Sequence, residues 1–190
     1  MTYFLEQAPL CAFLILMLSA SAAISSLPTV ADDVPDAFQV FGRFPHIVAI
    51  SDVDNDTIFE CLTAKRTEYD PEAKTVTYVA MFKGHHGGKK KSVAFHLSKG
   101  PSPNIVEFTE DEHPDHRESA EICYTDYETC YIVRFLYFGQ QCFLYVPKGL
   151  EDNVPRHCID HFADICGVVV PTYSRDLCPD DEDDRANMRH

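Results

Sequence analysis

Between Pro45 and Pro147 turn chemistry cuts the sequence into eight short apolar segments, and no helical pattern separates them. They cover residues 47–50, 59–69, 75–82, 92–97, 105–109, 118–124, 131–138 and 142–146 and are rich in β-branched and aromatic residues. The breaks are Asp70-Pro71, Gly84-His85-His86-Gly87-Gly88, Gly100-Pro101 and Gly139-Gln140, the residue types that hairpins need. Parallel strands require long crossovers, usually helices, so a parallel α/β fold is excluded. The spacing predicts an antiparallel barrel or sandwich. With 45% hydrophobic and 12% aromatic residues, the chain is too apolar for disorder and has material for a core.

The two ends read differently from this middle. Residues 8–20 are apolar but too few to span a bilayer comfortably, and Ser19, Ala20, Ser21, Ala22 and Ala23 follow. This predicts a secretory signal over 1–23, although the first seven residues carry Glu6 and no Lys or Arg. An uncleaved anchor is the weaker alternative, because the run is short. One domain is expected over 24–178, followed by a solvated acidic tail over 179–190. The formal charge of −14 argues against nucleic acid and against a basic membrane patch, since both partners reward Lys and Arg.

Secretion decides how the cysteines are read. Cys11 leaves with the signal, and Cys61, Cys123, Cys130, Cys142, Cys158, Cys166 and Cys178 remain. In an oxidising compartment these are disulfide partners before they are ligands or nucleophiles. No Cys-x-x-Cys pair is present, and an odd count leaves one thiol over. Asn55-Asp56-Thr57 is a glycosylation sequon. A short helix is expected over residues 36–41. A second has Asn153 as its N-cap, Pro155 in its first turn and Gly167 past its end. Its apolar face gathers Cys158, Ile159, Phe162, Ile165 and Cys166, so a cysteine at each end staples it to something.

Catalytic signatures are missing: there is no Gly-x-Ser-x-Gly elbow, no His-Glu-x-x-His and no phosphate-cradling glycine loop. His85, His86, His113 and His116 read as exposed hairpin tips. His157 and His161, one helical turn apart, read as surface positions. No enzyme activity, metal or cofactor is expected.

Asp36-Ala37-Phe38-Gln39, Phe59-Glu60-Cys61-Leu62 and the framework from Cys130 through Cys142-Phe143-Leu144-Tyr145-Val146 and Cys158 to Cys166 and Cys178 carry a resemblance. The chain resembles the tick salivary lipocalins, the histamine-binding-protein family. That resemblance implies an all-β fold with flanking helices: an eight-stranded antiparallel barrel around a ligand cavity, with a C-terminal helix packed outside. It also implies the pairings Cys61–Cys178, Cys130–Cys158 and Cys142–Cys166, leaving Cys123 over. Strand alternation agrees. With Cys130 and Cys142 turned outward toward the helix, Tyr131, Val133, Phe135, Tyr137, Phe143 and Tyr145 turn inward and Arg134 faces water.

By the same resemblance, amine-binding members carry a carboxylate after the first cysteine of this region and another before the Leu-Trp/Tyr pair. Here Tyr131 and Phe143 stand at those positions, which favours an apolar or amphipathic ligand of fatty-acid or eicosanoid type over histamine or serotonin. Glu60 would be a substitute counter-ion if Cys61 pointed outward from a strand. The expected ligand residues are therefore Tyr131, Val133, Phe135, Phe143, Tyr145 and Glu60, in a secreted monomer that sequesters one small molecule. The rival reading is a protein-binding antagonist that works through surface loops such as residues 84–91.

Overall fold

The computed structural model describes residues 34–53, 58–83, 91–135, 139–167 and 169–178. The expected signal over 1–23, the Asn55 sequon, His85 and His86, Tyr137 and residues 179–190 lie outside the described residues.

Nine strands are described: β1 (His46–Asp52), β2 (Thr63–Asp70), β3 (Thr75–Phe82), β4 (Lys91–Lys99), β5 (Ile105–Glu110), β6 (His113–Thr125), β7 (Tyr131–Phe135), β8 (Gln141–Pro147) and β9 (Val170–Pro171). Each of the first eight pairs antiparallel with its sequence neighbour, and β1 also pairs with β8. The sheet therefore closes into a barrel. β9 adds to β1 at Ser51–Asp52, past the stretch where β1 meets β2. Two residues are too short to show as a sequence pattern, so this strand was not predicted.

Two strands start elsewhere than expected. The segment from Phe59 enters as a turn over residues 58–61, because Cys61 adopts φ 58 and breaks the pleat. β2 begins only at Thr63. β6 begins at His113, paired with Glu110, so His113 and His116 are exposed strand residues and the hairpin tip is Asp111–Glu112.

Helix α1 (Ala37–Arg43) starts where Asp36 Oδ1 accepts from the Phe38 and Gln39 N–H groups at 2.9 and 3.0 Å. It plugs the end of the barrel where β2 turns into β3. Phe38, Val40, Phe41 and the following Phe44 are buried in the inner core. Side chains of the wall grip its carbonyls: Tyr69 Oη donates to Phe38 O at 2.7 Å, Tyr78 Oη to Phe44 O at 2.6 Å, and Arg66 Nη1 to Phe41 O.

Helix α2 (Arg156–Cys166) lies on the outside of the barrel. Its N-cap is Pro155, not Asn153. A residue before proline is held extended, which stops the helix from reaching back through Val154. Asn153 instead donates its N–H to Leu150 O at 3.0 Å in the preceding turn. Gly167, with φ 86, ends the helix as expected. Cys158 and Phe162 are fully buried against the outward residues Val48, Ile132, Leu144 and Val146. The disulfides are Cys61–Cys178, Cys130–Cys158 and Cys142–Cys166, the last two stapling α2 to β7 and β8. Among the described residues no helix is long and apolar enough to cross a membrane.

Candidate functional site: the barrel lumen

The alternation of β7 and β8 builds the inner wall. Tyr131 faces Tyr145, Val133 faces Phe143 and Phe135 faces Gln141 across the ladder, and all belong on the inner side. Tyr131 and Tyr145 stack with ring centroids 5.2 Å apart; Phe135 and Phe143 stack at 5.3 Å. From other elements come Phe41, Tyr78, Phe95 and Phe108, with Phe59 and Leu62 from the turn before β2. Together these enclose a lumen of about 120 Å³. No charged side chain lines it among the described residues.

Of the residues predicted from sequence, Tyr131, Val133, Phe135 and Tyr145 line this space. Phe143 does not. It is fully buried one layer back, edge-on to Phe59 at 4.9 Å and stacked on Phe135. Glu60 lies in the turn before β2, is half-buried, and is not part of the lining. The condition for turning it inward, a strand with Cys61 outward, is not met, because residues 58–61 form a turn.

The sequence reading missed a polar layer at the end opposite α1. Asp52, Glu110 and Gln141 are all buried. Glu110 pairs with Phe95 and Gln141 with Phe135, both lumen residues, so both point inward. Ser51 opposes the outward Leu144, so Asp52 turns inward. Its Oδ1 accepts from the Val53 N–H at 2.7 Å. Burial raises the Tyr145 phenol well above its ordinary value, and the nearby Asp52 charge adds to this. A signal for Asp52 existed in its place at the end of an apolar strand, but the bulge between Ala49 and Ser51 that sets its direction is invisible in sequence.

Other clusters are already satisfied. A solvent-open groove of about 530 Å³ lies on the outer face of β2 to β5. There Thr77 Oγ1 donates to Glu68 Oε2 at 3.0 Å and lies 3.2 Å from His96 Nδ1; His96 Nε2 meets Asp111 Oδ1 at 2.6 Å. The metal-like grouping of Asp126, Cys130, His157 and Cys158 contains two sulfurs that are bonded to each other, so no thiolate is available. Cys123 is unpaired and half-buried, and burial pushes its thiol up.

Asp126 is a latch between the β6–β7 turn and α2. Its carboxylate accepts from the N–H groups of Glu128, Thr129 and Cys130, from Thr129 Oγ1, and from His157 Nε2 at 3.0 Å. Burial opposes ionisation, but the hydrogen bonds from Thr129, the backbone and His157 outweigh it and hold the carboxyl well below the usual range. A depressed carboxyl contributes stability that is complete above its unfolded pKa of about 4 and is lost as pH falls through the folded value. Asp126→Asn is therefore expected to cost about 1–3 kcal/mol at pH 7. In urea titrations the gap to the parent protein should close as pH drops below about 4.

A closed antiparallel barrel with a ligand-sized aromatic lumen and an external C-terminal helix defines a lipocalin. Residues 48–179 match the family model of the tick histamine binding protein, and the chain belongs to that family. No curated protein matches the chain in sequence.

Similar solved structures include japanin from Rhipicephalus appendiculatus bound to cholesterol, at 14% identity and TM-score 0.53, covering 69% of this chain and 94% of that one. AM182 in its serotonin complex shows 15% identity and TM-score 0.56, covering 75% and 92%. Apocrustacyanin C2 shows 15% identity and TM-score 0.55, covering 78% and 85%. These likenesses show the fold. The three disulfides fit an extracellular protein.

Proposed function

We propose that the chain is a secreted scavenger that draws one small hydrophobic or amphipathic molecule into its barrel and lowers its free concentration. The observation that carries this reading is the lumen itself, open in part, aromatic and without a charged lining residue among the described ones. About 120 Å³ is the space of a single ring; an apolar cavity of about 150 Å³ takes benzene. A longer chain would lay its first carbons here and extend toward the end opposite α1. An internal void also favours ligand capture over the antagonist reading, whose loop over residues 84–90 lies outside the described residues.

A second reading follows the ligand in the matched family's name: a compact amine such as histamine, its ammonium set toward the buried polar layer of Asp52, Glu110 and Gln141. Calorimetric titration separates the two. Decanol is expected to bind at least about ten-fold more tightly than histamine, since each buried CH₂ contributes about 0.8 kcal/mol. Tight histamine binding abolished by Asp52→Asn would establish the amine reading instead. Loss in Glu60→Gln alone would put the counter-ion in the turn.

A further inference from the structure

We propose that Tyr131 and Tyr145 form a paired hydroxyl site that selects ligands carrying an uncharged oxygen acceptor, such as a hydroxyl, ketone or ester, on an apolar body. The inference deepens the ligand-capture reading and rests on it.

The two tyrosines face each other across the β7–β8 ladder, with rings stacked 26° from parallel, so their hydroxyls are carried side by side. Both residues are more than nine-tenths buried, at 4% and 8% exposure, and both line the lumen. Neither hydroxyl has a hydrogen-bond partner among the described residues. The third lumen tyrosine is different: Tyr78 spends its proton on Phe44 O at 2.6 Å and holds the α1 plug. A hydroxyl that opens onto the lumen without a protein partner is left to water, and a ligand that supplies an acceptor replaces that water in an apolar space.

Charge then narrows the partner. Burial keeps both phenols protonated, so they donate. An ammonium can donate to the phenol oxygens, but it leaves both phenol protons without an acceptor and loses its hydration in a lumen with no charged lining residue among the described ones. A carboxylate would accept, but entering the lumen it would lose its hydration with no cationic side chain in the described lining to replace it. A neutral oxygen satisfies the donors without that desolvation cost.

Three probes with nearly the same body test this: acetophenone with a ketone, ethylbenzene with no polar group, and 1-phenylethylamine with an ammonium. Their affinities are measured by calorimetry on the full chain and on Tyr131→Phe and Tyr145→Phe, with a thermal melt of each unliganded protein. The acetophenone-to-ethylbenzene affinity ratio is expected to fall about ten-fold in each variant. The unliganded melts should hold, because neither hydroxyl bonds to a described part of the protein. An unchanged ratio in both variants would overturn the proposal, as would tighter binding of 1-phenylethylamine than acetophenone to the parent protein. A clear drop in the unliganded melts would show that the hydroxyls serve the fold instead. If none of the three probes binds the parent protein, the lumen-capture reading itself fails and the inference falls with it.

Discussion

Phe143→Ala is expected to lower the unfolding free energy by about 3–5 kcal/mol and, in the molecules that stay folded, to enlarge the lumen. The ring is completely buried, and its neighbours Phe59, Phe135 and Tyr145 all line the ligand space. Removing it opens a void continuous with that space rather than a sealed cavity. Urea unfolding gives the first quantity, and titration with a two-ring hydrocarbon gives the second. Gain of binding with loss of stability is the expected signature; a drop below about 1 kcal/mol would mean the wall collapses into the gap. The same geometry revises what a charge at this position would do. Phe143→Glu puts a carboxylate one layer behind the lumen wall, where no ligand reaches it, and is expected to unfold the barrel rather than create an amine site.

Breaking the Cys61–Cys178 bridge with a double serine substitution should cost about 5 kcal/mol. A closure spanning 117 residues constrains the unfolded chain more than the 28- and 24-residue closures, for which the same chain-entropy model gives about 3.5 kcal/mol each. The bridge also anchors the segment that covers the seam where β1 parts from β2. Thr172 O accepts from the Cys61 N–H at 2.9 Å, Thr172 N–H donates to Ile50 O at 3.0 Å, and Thr172 Oγ1 donates to Ala49 O at 3.2 Å. Hydrogen exchange of the Thr172 amide should accelerate more than that of the strand interiors. A loss under about 2 kcal/mol would show that the unfolded chain already holds these ends near each other.

Much of this architecture was legible because strand alternation is a strict rule. Placing Cys130 and Cys142 outward fixed the direction of every residue in β7 and β8, and the inner and outer clusters follow that division residue by residue. What sequence hid was every departure from the rule. The left-handed Cys61 ended the pleat and took Glu60 out of the alternation. The bulge after Ala49 redirected Asp52. Alternation also fixes only direction, not depth: Phe143 and Tyr145 both point inward, yet one is core and the other is wall. Depth depends on what the opposite side of the barrel supplies, here Phe59 from a turn with no periodic signal.

The helix wedged into one end of the barrel gives the lumen the topology of a flask. Ligand cannot pass through; whatever enters must leave by the way it came. Moving α1 aside would break the bonds from Tyr69, Tyr78 and Arg66 together and strip Phe38, Phe41 and Phe44 from the core. Exchange of a ligand would therefore involve the end where Asp52, Glu110 and Gln141 are buried, while the wall and its aromatics set the depth of the well. Evolution of such a chain has two separate controls. Substitutions in the lining would change which molecule is held, and substitutions in the polar layer at the far end would change how long, with little need for either to disturb the other.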